Sequence, residues 1–274
     1  MDSNPQASSE PTQSKMVLDI GNSCDTGDMR KINEDRVLVK KCLYNDEEWG
    51  LFTVADGMGG MSRGGEASQI IIDVLSDWWE NTLPVLQGLV EPDLVIDSLD
   101  KAIEAANTQV VAIQSGKMIG STLSLLFMIG RKYTTRHVGD SRIYMLNREY
   151  GIRQLTTDHS YVAEQVKQGN LTQNEARIHP KRNAITKCIG MKNMPVLCKQ
   201  QGTCKIGDIL LLCSDGFYGL VSDAAILDTV FDSPPFMEEK IIALRNRITK
   251  GKAHDNVSII LVYPTDADET EIAE

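Results

Sequence analysis

The chain of 274 residues carries 28 basic and 38 acidic side chains, a formal charge of −10, and is 42% hydrophobic. That apolar fraction suffices for one large domain with a sizeable core. The acidic balance argues against a nucleic-acid or anionic-membrane binder, which needs clustered Lys and Arg.

Residues 1–15, "MDSNPQASSEPTQSK", are polar and rich in Ser, Pro and Gln, so a disordered tail is expected there. The tail has neither a basic start nor an apolar stretch, and no run of 18 apolar residues follows, so neither a signal peptide nor a membrane anchor is expected. The domain is expected over 16–263. Strand-like runs at 36–44 and 49–56 lead to helical periodicity at 65–79 and 94–114. Three further strand-like runs follow at 121–130, 132–139 and 142–147, then a helix at 160–168. A strand at 207–215, helices at 223–231 and 237–250, and a last strand at 256–263 complete the pattern. The acidic residues 264–274 read as a second tail. Several strands are separated only by short turns, which permits hairpins and excludes parallel crossovers. Helix pairs inserted between such strands predict a layered α+β fold with sheets at the centre.

Cys24, Cys42, Cys188, Cys198, Cys204 and Cys213 form no C-x-x-C pair and no compact metal spacing. Reduced thiols in a cytoplasmic protein are the reading, with Cys213 of "ILLLCSD" in the core.

The acidic residues carry the chemistry. Asp56 ends "LFTVAD", Asp140 follows "TTRHVG", Asp215 ends "ILLLCSD", Asp255 precedes "NVSIILV" and Asp35 opens a strand. Each alone reads as a turn residue or helix cap. Packed sheets, however, bring strand ends to a common edge. Two like charges 4 Å apart repel by ~4 kcal/mol at an effective dielectric of about 20. Four such acids persist together when protonated or when a multivalent cation sits among them. Carboxylates without His or thiolate favour hard ions such as Mg²⁺ or Mn²⁺. A bare backbone after Asp56 lets the Gly57 carbonyl turn toward a cation. Two such ions can share a hydroxide as nucleophile for phosphoryl chemistry, with Arg30 as a bidentate grip on phosphate.

The segments "DMRKINEDR", "VADGMGG…GGEAS", "GST", "VGDSRIY", "LTTDHSYV", "LLCSDGFYGLV" and "HDNVSIILV" together resemble the metal-dependent PPM (PP2C-type) serine/threonine phosphatases. "ADGMGG" and the segment "VKQGNLTQNEARIHPKRNAITKCIG" are similar to the bacterial branch. The resemblance implies a four-layer αββα sandwich, two antiparallel sheets flanked by helix pairs. It implies that Asp56 bridges two Mn²⁺ or Mg²⁺ ions, that the Gly57 carbonyl binds one, and that Asp215 and Asp255 complete the shell of the other. Asp140, with Asp215, is implied as ligand of a third ion. Glu34 and Asp35 would hold metal-bound waters, and Arg30 would bind phosphate beside the catalytic Asp35 and Asp56. The implied substrates are phosphorylated proteins, opposing a cognate Ser/Thr kinase, with a monomer as the default and a flap over about 158–189 setting preference. Met58 stands where animal members carry a His assigned as general acid, leaving a metal-bound water or His159 for that role. His137, His179 and His254 read as structural.

Three rival readings compete with this one. Cys24 to Arg30 matches the C-x₅-R of thiol phosphatases, but Asp25 and Asp28 would repel both phosphate and thiolate. "GMGGMSRGG" lacks the Lys-Ser/Thr ending of a P-loop and the spacing of a dinucleotide site. A catalytically silent binding module is opposed by the presence of every acid expected to hold metal.

Overall fold

The computed structural model describes residues 16–59, 63–88 and 92–266. One sheet orders β1 (Met16–Asp25), β11 (Val257–Asp266), β10 (Ile209–Cys213), β7 (Arg142–Asn147) and β8 (Gly151–Gln154). The other orders β2 (Asp35–Tyr44), β3 (Glu47–Gly59), β5 (Leu123–Ile129), β6 (Lys132–Val138) and β9 (Cys198–Thr203), with the short β4 (Ile119–Ser121) on the end of β3. Every pairing is antiparallel.

The layers follow from residue alternation along the strands. Leu123, Leu125 and Phe127 of β5 face one apolar cluster, while Leu126 and Met128 face another between the sheets. Likewise Leu211 and Cys213 of β10 point outward, and Leu210 and Leu212 point inward against Ile260 and Val262. Strands buried on both faces therefore read as unbroken apolar runs, not as alternation. Against the second sheet pack α1 (Gly64–Asp77) and α3 (Pro92–Ala112); α1 runs on through a π-helical turn, Trp78–Thr82, into α2 (Leu83–Gln87). The first sheet is covered by α7 (Asp223–Asp232) and α8 (Met237–Asn246). The result is the expected αββα sandwich. Between β8 and β9 lie α4 (Tyr161–Lys167) and α5 (Gln173–Ile178), and after β10 the single turn α6 (Asp215–Tyr218).

Several elements escaped the pattern reading. β1 pairs with β11 along its whole length, yet "MVLDIGNSCD" is an edge strand with too few apolar residues to announce itself. β9, "CKQQGT", is an edge of the other sheet and nearly all polar. β11 continues to Asp266, three residues past the boundary drawn from composition. The tail at 1–15, the rest of the acidic tail and Gly60–Ser62 of the glycine-rich stretch lie outside the described residues. Among the described residues no helix is long and apolar enough to cross a membrane, and all six cysteines are free.

Candidate active site

The expected acids converge at one end of the sandwich. The β2–β3 register sets Asp35 directly across from Asp56. Asp56 is pinned by its backbone, with its N–H donating to Thr122 Oγ1 at 2.9 Å and its carbonyl accepting from Thr122 N at 2.9 Å. Asp140 sits in the β6–β7 turn, Asp215 opens α6 and Asp255 immediately precedes β11. The first sheet thus supplies Asp215 and Asp255, and the second supplies Asp35 and Asp56. Gly57 has a packing reason that the sequence reading missed. A Cβ there would stand 2.3 Å from the Gly64 carbonyl oxygen and 2.6 Å from that of Glu34. The bare backbone lets α1 start against the end of β3.

A loop from Thr26 to Glu34 closes the edge, and Asn256 organises it. This buried side chain accepts from Glu34 N at 2.9 Å and donates to the carbonyls of Thr26 (2.9 Å) and Ile32 (3.2 Å). Asn256 was not singled out from sequence; its position between Asp255 and a core strand was the available signal. Within the loop Arg30 is half-exposed and donates Nη2 to Asp255 Oδ2 at 2.8 Å. Glu34 turns toward α1, where its Oε1 accepts from Gly65 N at 3.3 Å.

The electrostatics are those of carboxylates short of positive charge. Burial raises Asp56 well above the usual carboxylate range, and Asp35, Asp215, Asp140 and Asp255 add repulsion. Burial pushes Asp140 up to about 8, with Asp215 and Asp158 adding to it. Asp35 rises to about 6 by burial, against the Ser258 hydroxyl that donates to its Oδ2 at 2.7 Å. Asp215 is raised by burial and by Asp255. Arg30 brings one compensating charge to this group of acids.

Asp140 has the most elaborate support. Its backbone carbonyl accepts from the Tyr218 hydroxyl at 3.0 Å. The Tyr218 ring lies 3.7 Å beneath the Arg142 guanidinium. Arg142 in turn donates to both Asp158 oxygens (2.7–3.1 Å) and to the Tyr144 hydroxyl at 2.8 Å. The preceding Gly139 is held twice by His159, donating its N–H to His159 Nδ1 at 3.1 Å and accepting from His159 N at 2.7 Å. His159 Nε2 faces Cys198 Sγ at 3.4 Å, and its ring stacks on His137 at 5.3 Å. Burial lowers its pKa, so this imidazole is neutral and fully engaged. His159 therefore supports the Asp140 turn and is not placed to protonate a leaving group.

Whether these residues suit a metal is decided by donor chemistry. Among the described residues no three Asp, Glu, His or Cys side chains already close on one common point. Carboxylate torsions are broad enough to close such gaps. The donors are all oxygen, as hard divalent cations prefer. Buried Asp140 Oδ1 has no hydrogen-bond partner, which costs about 1–3 kcal/mol unless something electropositive meets it. The set fits Mn²⁺ or Mg²⁺. The thiol alternative fails. Cys24 Sγ lies against Ser258, Asn33 and the Asp35 carbonyl, and desolvation together with the Asp35 charge raises its pKa. Arg30, its would-be partner, is paired to Asp255.

Comparison with known proteins shows the family. Residues 30–253 match the family model described as protein phosphatase 2C. A serine/threonine phosphatase, stp, of Listeria innocua is 30% identical over 242 residues, covering 87% of this chain and 92% of that protein. The solved serine/threonine phosphatase of S. agalactiae superposes with a TM-score of 0.79 at 32% identity, covering 90% of this chain and all of that one. The catalytic domain of PstP, solved with two manganese ions, gives a TM-score of 0.74 at 29% identity over 92% of this chain and 100% of that one.

Proposed function

The chain belongs to the protein phosphatase 2C family and is a serine/threonine phosphatase; we propose that it removes phosphate from phosphoserine and phosphothreonine of proteins with divalent cations held at the carboxylate edge. The observation that carries this reading is the group of buried or half-buried carboxylates, raised by burial and mutual repulsion, with the Arg30 guanidinium beside Asp255. Asp56, the Gly57 carbonyl, Asp215 and Asp255 would hold two Mn²⁺ or Mg²⁺ ions, and Asp140 with Asp215 a third. Bound there, such ions supply Lewis-acid charge and activate water for attack on phosphorus.

The chain's own residues do the rest. Arg30 exchanges its Asp255 contact for the phosphate oxygens and orients the phosphorus with a bidentate grip. Asp35, buried and fixed by Ser258, orients water against Asp56. Glu34, tethered through Asn256 and Gly65, does the same from the loop. The half-exposed Met58 has no proton to give, so the departing alcohol takes its proton from ordered water. The physiological role read from this is opposition to a Ser/Thr kinase, acting as a monomer. Six free cysteines support a reducing cytoplasm as its compartment.

Purified protein is expected to dephosphorylate a phosphothreonine peptide with added Mn²⁺, to stop in EDTA, and to lose at least about a thousandfold in kcat on Asp255→Asn. Cys24→Ser is expected to keep its activity. Activity that survives chelation and disappears with Cys24→Ser would refute the metal reading.

A further inference from the structure

Beside the carboxylate edge lies a pocket of about 250 Å³ that phosphate chemistry does not need. It is lined by Met58, Met118, Gly120, Ile185, Cys188 and Met191, with Asn183 and Thr186 at polar positions. Three thioether side chains, a thiol and an isoleucine make its surface apolar and adaptable. Strand register places the pocket next to the catalytic centre. Met58 pairs with Gly120 across β3 and β4, and the next pair, Gly57 with Ser121, leads directly to Asp56. Ser121 also bridges to Ile189, which brings the flap segment 183–188 over the same strands. Met118 is 58% exposed, an apolar side chain displayed at the mouth.

Strand geometry gives the distance. Asp56 and Met58 are two residues apart on β3 and so face the same side, about 6.6 Å apart at a rise of 3.3 Å per residue. An extended peptide has the same period. The residue two positions from the phosphorylated one projects the same way at the same spacing. The charge around the pocket selects further. Residues 176–192 hold Arg177, Lys181, Arg182, Lys187 and Lys192 and no acid, in a chain of net charge −10, and of the preceding acids Glu164 accepts from the pocket residue Thr186 at 2.8 Å. All five are exposed, and among the described residues none forms an ion pair. Arg182 and Lys187 adjoin the pocket residues Asn183, Thr186 and Cys188 in sequence.

We propose that this pocket is a specificity site that takes an apolar side chain two residues from the phosphoserine or phosphothreonine, in a phosphoprotein segment whose flanks are acidic. This rests on the phosphatase reading above and names its substrate class. The apolar side chain is buried among the methionines, and the cationic flap draws in the acidic flanks, offsetting the repulsion of the carboxylate edge. A methionine lining tolerates several side-chain shapes, so Leu, Met, Ile and Phe are all accepted, while Asp is rejected.

The test compares phosphothreonine peptides carrying Leu, Ala or Asp two residues before or after the phosphothreonine, with p-nitrophenyl phosphate as a substrate that has no flanks. The full chain with Mn²⁺ is expected to favour Leu over Ala by about tenfold in kcat/KM at one of the two positions, and Leu over Asp by more. Met118→Asp, a change at an exposed residue, should abolish that preference and leave p-nitrophenyl phosphate hydrolysis within about twofold. Arg182→Glu with Lys187→Glu should raise KM about tenfold for acidic-flanked peptides and leave neutral-flanked ones within about twofold, the difference shrinking with added salt. Equal rates for Leu and Ala peptides, or a Leu preference that persists in Met118→Asp, would overturn the proposal. Failure to hydrolyse p-nitrophenyl phosphate would instead overturn the phosphatase reading itself.

Discussion

The carboxylate edge and the flap beside it are built in opposite ways. The edge is assembled from strand ends whose neighbours are core residues: Val54 and Ala55 precede Asp56, Leu212 and Cys213 lie just before Asp215, and Val257 follows Asp255 at one remove. The flap holds two short helices, α4 and α5, with polar and charged side chains of both signs (Glu164 and Lys167, Glu175 and Arg177). Acids that must converge to within ångströms are held by the least deformable part of the molecule. The proposed substrate contacts fall on a segment with few buried apolar anchors. Rigidity follows the tolerance of the chemistry, and that can be tested by loosening each region in turn.

The largest expected effect is at Asn256. Asn256→Ala leaves the Glu34 N–H and the carbonyls of Thr26 and Ile32 without partners, and should cost about 3 kcal/mol in chemical denaturation. It should also raise KM, because the loop carrying Arg30 loses its anchor. Next comes Tyr218→Phe, which removes the hydroxyl from the Asp140 carbonyl and keeps the ring under Arg142. Mn²⁺ affinity measured by calorimetry should fall about tenfold with little change in melting temperature.

An effect of full size similar to that at Asn256, spread over a range of pH and so only partly expressed at any one pH within it, belongs to His137, which burial lowers to about 4, with the His159 charge next in effect. The unfolded chain protonates this ring near pH 6.5, whereas the folded chain does not. Its contribution is therefore intact above about 6.5 and is lost as pH falls toward 4, a total of about 3 kcal/mol. The raised carboxylates act in the opposite direction in metal-free protein, so the difference between wild type and His137→Gln isolates the histidine. Denaturation curves of the two should converge toward pH 4. The smallest effect is in the flap. Thr172→Ala breaks the capping box with Glu175 and should cost α5 about 1 kcal/mol, read as faster amide exchange over 173–178. Hydrolysis of p-nitrophenyl phosphate should not change, and a change there would contradict the division of labour.

The same contrast explains what could be read from sequence. Core strands ending in acids are visible because apolar runs and carboxylates differ sharply in type, so Asp56, Asp140, Asp215 and Asp255 stood out together. Edge strands with few apolar residues were not visible. β1 and β9 are held by ladder hydrogen bonds, which need no particular side chains. Asn256 and Tyr218 were equally hidden, since each acts on backbone groups that only the fold brings near. The Met58 pocket joins residues from three separated stretches and has no sequence signature at all.

The central claim, that this edge holds divalent cations, is tested most directly by titrating Mn²⁺ into protein stripped with EDTA. Calorimetry in two buffers of different ionisation enthalpy should show at least two ions bound, with protons released as the raised carboxylates ionise. At a hundredfold excess over Kd the gain is about 2.7 kcal/mol per site, a rise of several degrees in melting temperature, and Asp56→Asn should lose both signals. Stoichiometric binding that is unchanged in Asp56→Asn, or no binding by the wild type, would contradict the account.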